Sequence, residues 1–382
     1  MVRASSTKGH PTVVFLIAVV EWGFTWQSSQ TIAAGLAERG YVVHYLNPIP
    51  KRFPALREIP RVVARLKSRA PAQGEPGPAV PAGVTVWNPR CLPSAGPVSR
   101  TLAHLMLRPL IAKLLDIRSR YRCCAVINYL PFRLPHRVAM ELEPDLLAYI
   151  CHTHWEADPH APSGELCEEE VLRTADLALA DSDLLYERCR DHPGVRRFPA
   201  MVDLALFKPI PRRSHRKGHP SRLRCVYYGG ISWRLDIPLL ADLSRRYRLR
   251  LVGPVRTDLS TLASDTEIVG VVPHEDLPRY LQDADVLILP YARHDFMQGI
   301  MPAKLFEYLA TGLPIIATDA LPTLQSYAPL VHIAGSRDEF VRAVGEAMLE
   351  DPMLRDQRLA LARENSVDVW MDRLAMWLRT GP

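Results

Sequence analysis

Twenty residues, Gly299 to Thr318 (GIMPAKLFEYLATGLPIIAT), constrain the fold of this chain most tightly. They read as loop, helix, turn and strand. Pro302 sits where a first helical turn tolerates proline, because the missing N–H would lack an intrahelical partner anyway. Ala303, Leu305, Phe306, Leu309 and Ala310 fall on one apolar stripe at helical spacing. Gly312 stands where a left-handed cap ends a helix, and Pro314 prevents continuation. The run Ile315–Thr318 is a short buried strand. Lys304 and Glu307 lie one turn apart on one face near the helix start. Free N–H groups and the positive dipole end suit a phosphate there. Lysine adds charge to that site, and the carboxylate can accept two sugar hydroxyls. The alternative is a plain surface Lys–Glu pair on an ordinary strand–helix unit.

Similar units recur along the chain. Val13–Val20 is an unbroken apolar run, expected of a central parallel strand covered on both faces. A helix over Ser28–Arg39, closed by Gly40, and a strand over Tyr41–Leu46 complete a βαβ unit. Open α/β sheets bind ligands beyond the carboxyl ends of their strands, so the Glu21–Trp26 loop faces a cleft. It lacks G-x-G-x-x-G, which argues against a dinucleotide fingerprint. Strands over Cys124–Asn128 and Leu146–Cys151 follow, and the second runs into His152-Thr153-His154. No third ligand at suitable spacing accompanies these histidines, so a metal site is not expected. A second α/β series begins at Cys225–Tyr228 and passes through the turn Gly229–Asp236, whose one cation is Arg234. Near the end, Trp370, Leu374, Trp377 and Leu378 form a final helical stripe.

Length and charge set the frame. A chain of 382 residues is long enough for two domains with full cores. The net charge of +6 suits anionic ligands or an anionic surface. Residues 51–70 hold seven Lys/Arg and one Glu, with Ile59, Val62, Val63 and Leu66 able to face away from Arg61, Arg65, Lys67 and Arg69. This segment is either a solvated helix or a contact with an anionic membrane. Seven scattered cysteines without a C-x-x-C pair point to reduced thiols and a cytoplasmic location, peripheral to the membrane's inner face if the basic segment engages it.

The donor stretch resembles the signature of retaining, nucleotide-sugar-dependent glycosyltransferases of family 4 (group 1), which have the two-domain GT-B fold. Pro302, Lys304, Glu307, Tyr308, Ala310, Gly312 and Pro314 match that signature without a gap. The passages Val269–Pro278 and Asp285–Pro290 are similar to the family's approach to the donor loop, and the likeness is firm over Tyr227–Thr318.

The resemblance implies two Rossmann-like domains, an acceptor domain at 1–207 and a donor domain at 208–364, with a final helix at 365–382 crossing back to the first. It implies transfer from a nucleotide-diphosphate sugar to a glycan, lipid-linked or small-molecule acceptor, with retention and with no metal or further cofactor. Gly229, Gly230, Arg234 and Lys304 would meet the diphosphate and Glu307 the ribose. Gly299, Ile300 and Met301 would border the sugar, and so would His152 or His154. Glu21, Trp22 and Gly23 would face the acceptor. Two departures stand out: Gly299 replaces a family glutamate that contacts the donor sugar, and Gly230 occupies the place of an arginine. They keep open the reading of a catalytically silent GT-B protein that binds nucleotide sugar or a partner enzyme; the rival within enzymes is a GT-B sugar-nucleotide epimerase.

Overall fold

The structure, a computed structural model, describes residues 12–23, 26–50, 79–158, 161, 164–211 and 223–381. The basic segment 51–70 lies outside the described residues. Two all-parallel sheets organise the chain. The first contains β1 (Val13–Ile17), β2 (Val42–Leu46), β3 (Val84–Trp87), β4 (Cys124–Asn128), β5 (Leu146–Cys151), β6 (Leu177–Ala180) and β7 (Val195–Arg197), in the order β3-β2-β1-β4-β5-β6-β7. The second contains β8 (Arg224–Tyr228), β9 (Arg248–Val252), β10 (Glu267–Gly270), β11 (Val286–Leu289), β12 (Ile315–Thr318) and β13 (His332–Ala334), in the order β10-β9-β8-β11-β12-β13. Every residue of β1, β4, β5 and β11 is buried, as strands covered by helices on both faces require.

In register, Val13 lies beside both Val42 and Cys124, and Leu287 beside both Val226 and Ile315. Strand order therefore reverses between β1 and β4 and again between β8 and β11. Such switch points open a crevice at the carboxyl ends of the strands.

The helices are α1 (Ser28–Glu38), α2 (Pro97–Arg118), α3 (Arg133–Glu141), α4 (Glu168–Thr174), α5 (Asp183–Arg188), α6 (Ile237–Arg246), α7 (Leu305–Thr311), α8 (Arg337–Glu346), α9 (Pro352–Glu364) and α10 (Val367–Thr380). The terminal helix crosses back: Met371 packs against Gly35 of α1, where a Cβ would sit 2.5 Å from Met371 Cγ. Arg39 pairs with Asp372 at 2.8 Å, and the Tyr41 hydroxyl donates to the Ala375 carbonyl at 3.0 Å. Phe198 stacks edge-on to Trp370 at 5.8 Å, so the expected apolar stripe buries itself on the N-terminal unit.

Two elements differ from expectation. The first strand stops at Ile17 rather than Val20, because the chain bends into the cleft loop after Ala18. Helix α7 starts at Leu305 with Lys304 as its N-cap, so Pro302 precedes the helix instead of opening it.

Candidate active site

The C-terminal wall of the cleft is built where β8, β11 and α7 meet. Gly229 follows β8 at φ +124, a conformation glycine adopts without strain. A Cβ there would lie 3.0 Å from Lys304 Nζ and 3.2 Å from the Tyr227 hydroxyl, so glycine lets the lysine close on the turn. Lys304 Nζ donates to the Tyr291 hydroxyl at 2.9 Å and lies 5.0 Å above the Tyr227 ring. Arg234 is exposed on the same turn, with its guanidinium 5.0 Å from the Phe296 ring, and its charge reaches the buried Tyr227. Burial pushes the Tyr227 hydroxyl well above its ordinary value, with Tyr291 adding to the effect, so it stays a neutral donor facing the two cations.

Lys304 and Glu307 do not pair with each other. Glu307 turns the other way: Oε1 meets His274 Nε2 at 2.9 Å, and Oε2 accepts from the buried Tyr228 hydroxyl. The surface-pair alternative is therefore replaced by two separate, half-buried polar centres on adjacent turns. His274 in turn lies under Trp26 of the N-terminal unit, with ring centres 6.0 Å apart and planes within 16°. His274 and Tyr228 were missed as site residues. The sequence places His274 in a passage similar to the family's approach to the donor loop, but spacing alone does not show which carboxylate it serves.

Gly299 is buried against the opposite wall. A Cβ at this position would lie 2.8 Å from His154 Cβ and 3.2 Å from the His154 backbone nitrogen. Backbone cannot yield as a flexible side chain can, so the two walls approach here only because residue 299 is glycine. Ile300 and Met301 follow in the same bend, where the Ile300 carbonyl accepts from Thr323 Oγ1 at 2.7 Å.

The N-terminal wall carries the histidines beyond β5. His152 sits between Tyr129 (5.2 Å) and Trp155 (5.3 Å), its ring edge-on to both. His154 Nε2 takes a hydrogen bond from Arg188 at 2.9 Å, with Glu156 at 3.3 Å. Contact with His154, then the Arg188 guanidinium, holds the Glu156 carboxyl below its usual range. Trp22 is only 4% exposed and packs edge-on to Tyr45 at 5.0 Å. Its backbone N–H donates to Asn47 Oδ1 at 2.8 Å, so Trp22 anchors the loop from beneath while Glu21 and Gly23 are exposed.

Asp181, at the end of β6, was also missed. Its Oδ1 is buried with no partner among the described residues, and burial pushes the carboxyl well above the usual range. Tyr327 of the C-terminal unit feels its charge: burial, then Asp183 and Asp181, push that hydroxyl up to about 12. Among the described residues, no group of three His, Cys, Asp or Glu side chains could hold a metal ion.

Residues 221–350 match the family model "Glycosyl transferases group 1". The chain is 25% identical over 238 residues to TuaH of Bacillus subtilis (strain 168), named for glycosyl transfer in teichuronic acid biosynthesis, covering 55% of this chain and 59% of that one. It is 27% identical over 171 residues to WcaL of Escherichia coli (strain K12), named for colanic acid biosynthesis, covering 39% and 41%. The chain thus spans about three fifths or less of the length of these two relatives.

Among solved structures, sucrose-phosphate synthase from Thermosynechococcus elongatus superposes with a TM-score of 0.63 at 16% identity, covering 96% of this chain and 99% of that one. Anabaena Alr3699/HepE, solved with UDP and glucose, gives 0.63 at 14% identity over 97% and 99%. With the family match across the second sheet and the fold shared over nearly the whole chain, this protein has the GT-B fold and resembles the group 1 glycosyl transferases.

Proposed function

We propose that this chain transfers a sugar from a nucleotide-diphosphate sugar to an acceptor hydroxyl, with retention at the anomeric carbon. The reading takes residues 1–207 as the acceptor domain, 208–364 as the donor domain and 365–382 as the helix that ties them together. The observation that carries it is the pair of polar centres on the C-terminal wall. A diphosphate at the Gly229–Gly230 turn meets the ammonium of Lys304 and the guanidinium of Arg234. One helical turn from Lys304, Glu307 offers a carboxylate to a ribose diol once His274 and Tyr228 give way. The leaving diphosphate gains charge as the glycosidic bond breaks, so fixed cations there stabilise the transition state more than the ground state. UDP is the first donor nucleotide to test, because the neighbour HepE was solved with UDP and glucose.

His152, or His154 on the opposing wall, would border the sugar, and the exposed Glu21 and Gly23 would border the acceptor. Gly299 removes the carboxylate that family members present to the sugar, so hydroxyl recognition in this chain falls to backbone groups of 299–301 and to the facing histidine. The test is incubation with UDP-, GDP- and dTDP-sugars without acceptor. Slow release of sugar and nucleoside diphosphate from one of them supports the reading. Epimerised sugar nucleotide, or no turnover of any donor, contradicts it.

A further inference from the structure

Helix α2 has two apolar faces, and only one is used. Ala103, Leu107, Ile111 and Leu114 face the core of the N-terminal unit. On the opposite side Val98 is 75% exposed, Leu102 46%, Leu105 48% and Met106 50%, with Pro109 and Ala112 continuing the stripe. Spacings of four, three and four residues (98, 102, 105, 109) place these on one line along the outside of the helix. A surface helix of a soluble domain normally points charge outward. Here the outward face over the first four turns is apolar, and its charged residues, Arg108 and Lys113, are both cationic. The first acid on it is Asp116, which pairs with Arg120.

Beside the stripe, and sharing Met106 and Lys113 with it, lies a hollow also lined by Trp87, Asn88 and Arg90. Placement adds meaning. Strands β3 and β4 run parallel with their carboxyl ends at the cleft, so α2, which joins them, begins at that end and runs away from it. The apolar turns are therefore those nearest the cleft mouth. Arg100 in the same turns is tied to Glu165 at 2.5 Å, which holds the helix to the cleft-side loop.

We propose that the outer face of α2 rests on an anionic phospholipid surface. Val98, Leu102, Leu105 and Met106 would enter the headgroup–acyl boundary, while Arg108 and Lys113 meet lipid phosphates. Charge selects this occupant: an apolar stripe whose flanking charges over its first four turns, among the described residues, are Arg108 and Lys113 matches an acidic bilayer surface, and no helix among the described residues is long and apolar enough to cross one. The basic segment 51–70 lies outside the described residues and is not needed for this contact. The proposal does not depend on the transfer reading, because lipid contact and sugar release are measured separately.

The test is cosedimentation of the full chain with vesicles of equimolar phosphatidylglycerol and phosphatidylcholine, against phosphatidylcholine alone. The parent should pellet with the acidic vesicles only. Leu102→Ser with Leu105→Ser should lower the partition coefficient roughly tenfold or more, from lost apolar burial. Arg108→Glu with Lys113→Glu should lower it by a similar factor through charge. Both pairs sit on exposed positions, and an unchanged thermal unfolding curve checks that they fold. Three results would overturn the proposal: a parent that stays in the supernatant, variants that pellet as the parent does, or a parent dimer that the Leu pair turns monomeric.

Discussion

The two walls of the cleft are finished to different degrees. On the C-terminal wall the polar centres already have partners: Lys304 on Tyr291, Glu307 between His274 and Tyr228. On the N-terminal wall His152 lies edge-on between Tyr129 and Trp155, His154 meets Arg188 and Glu156, and Asp181 holds a buried oxygen without a partner among the described residues. A preformed set of charges suits a ligand whose charged part is constant, as a diphosphate is, because the cost of ordering the side chains is met on folding. A wall of edge-on rings with one unpartnered carboxyl oxygen suits a ligand that varies between relatives and completes the site when it binds.

The largest expected effect comes from forcing the walls apart. Gly299→Leu would place a side chain on the His154 backbone, and a displacement near 1 Å at a reacting centre costs on the order of 100-fold in rate. Turnover of a donor should fall by about that factor, while affinity for the free nucleoside diphosphate changes little. Equal losses in both would show that residue 299 serves the C-terminal wall alone.

Next in size are the two cations. Removing Lys304 or Arg234 takes away charge-assisted bonds worth about 1.5–3 kcal/mol each. Single-turnover rates of Lys304→Ala and Arg234→Ala should each fall by roughly 10- to 100-fold, and the double variant by less than the product. Losses that multiply and stay in KM would break the comparison, since they would mean two independent surface charges steering an anion.

The smallest effect sits on the N-terminal wall and concerns stability. The Asp181 carboxyl is raised by burial, so in the folded state it holds its proton to higher pH than in the unfolded chain. Its contribution to stability is therefore complete below the ordinary carboxylate value of about 3.9 and is lost as pH rises above it. Asp181→Asn should then stabilise the protein at neutral pH by about 1–3 kcal/mol, and the gain should vanish by about pH 4. Urea midpoints across that range measure it. A variant less stable than the parent at pH 7 would show that Asp181 is satisfied as it stands.

What could be read from the sequence follows the same divide. Strands β1, β4, β5 and β11 are continuous apolar runs, and Gly312 and Pro314 mark the end of α7, so the frame of both sheets was legible. Lys304 and Glu307 were legible because helical spacing fixes where they lie. Strand β3 has only four residues, and α2 is apolar on two sides, so neither shows the periodicity that marks an element. His274, Tyr228 and Asp181 acquire their roles from residues 33, 79 and more than 100 positions away, contacts that no local pattern encodes.

As a nucleoside-diphosphate site, the C-terminal wall would have Glu307 exchange His274 and Tyr228 for a ribose. Titration calorimetry with UDP tests it directly, comparing the parent with Glu307→Ala and Glu307→Gln. One site per chain is expected, with a loss of about 1.5–3 kcal/mol for the alanine variant and a milder loss for glutamine. Binding of UDP with the same affinity by parent and Glu307→Ala would contradict it.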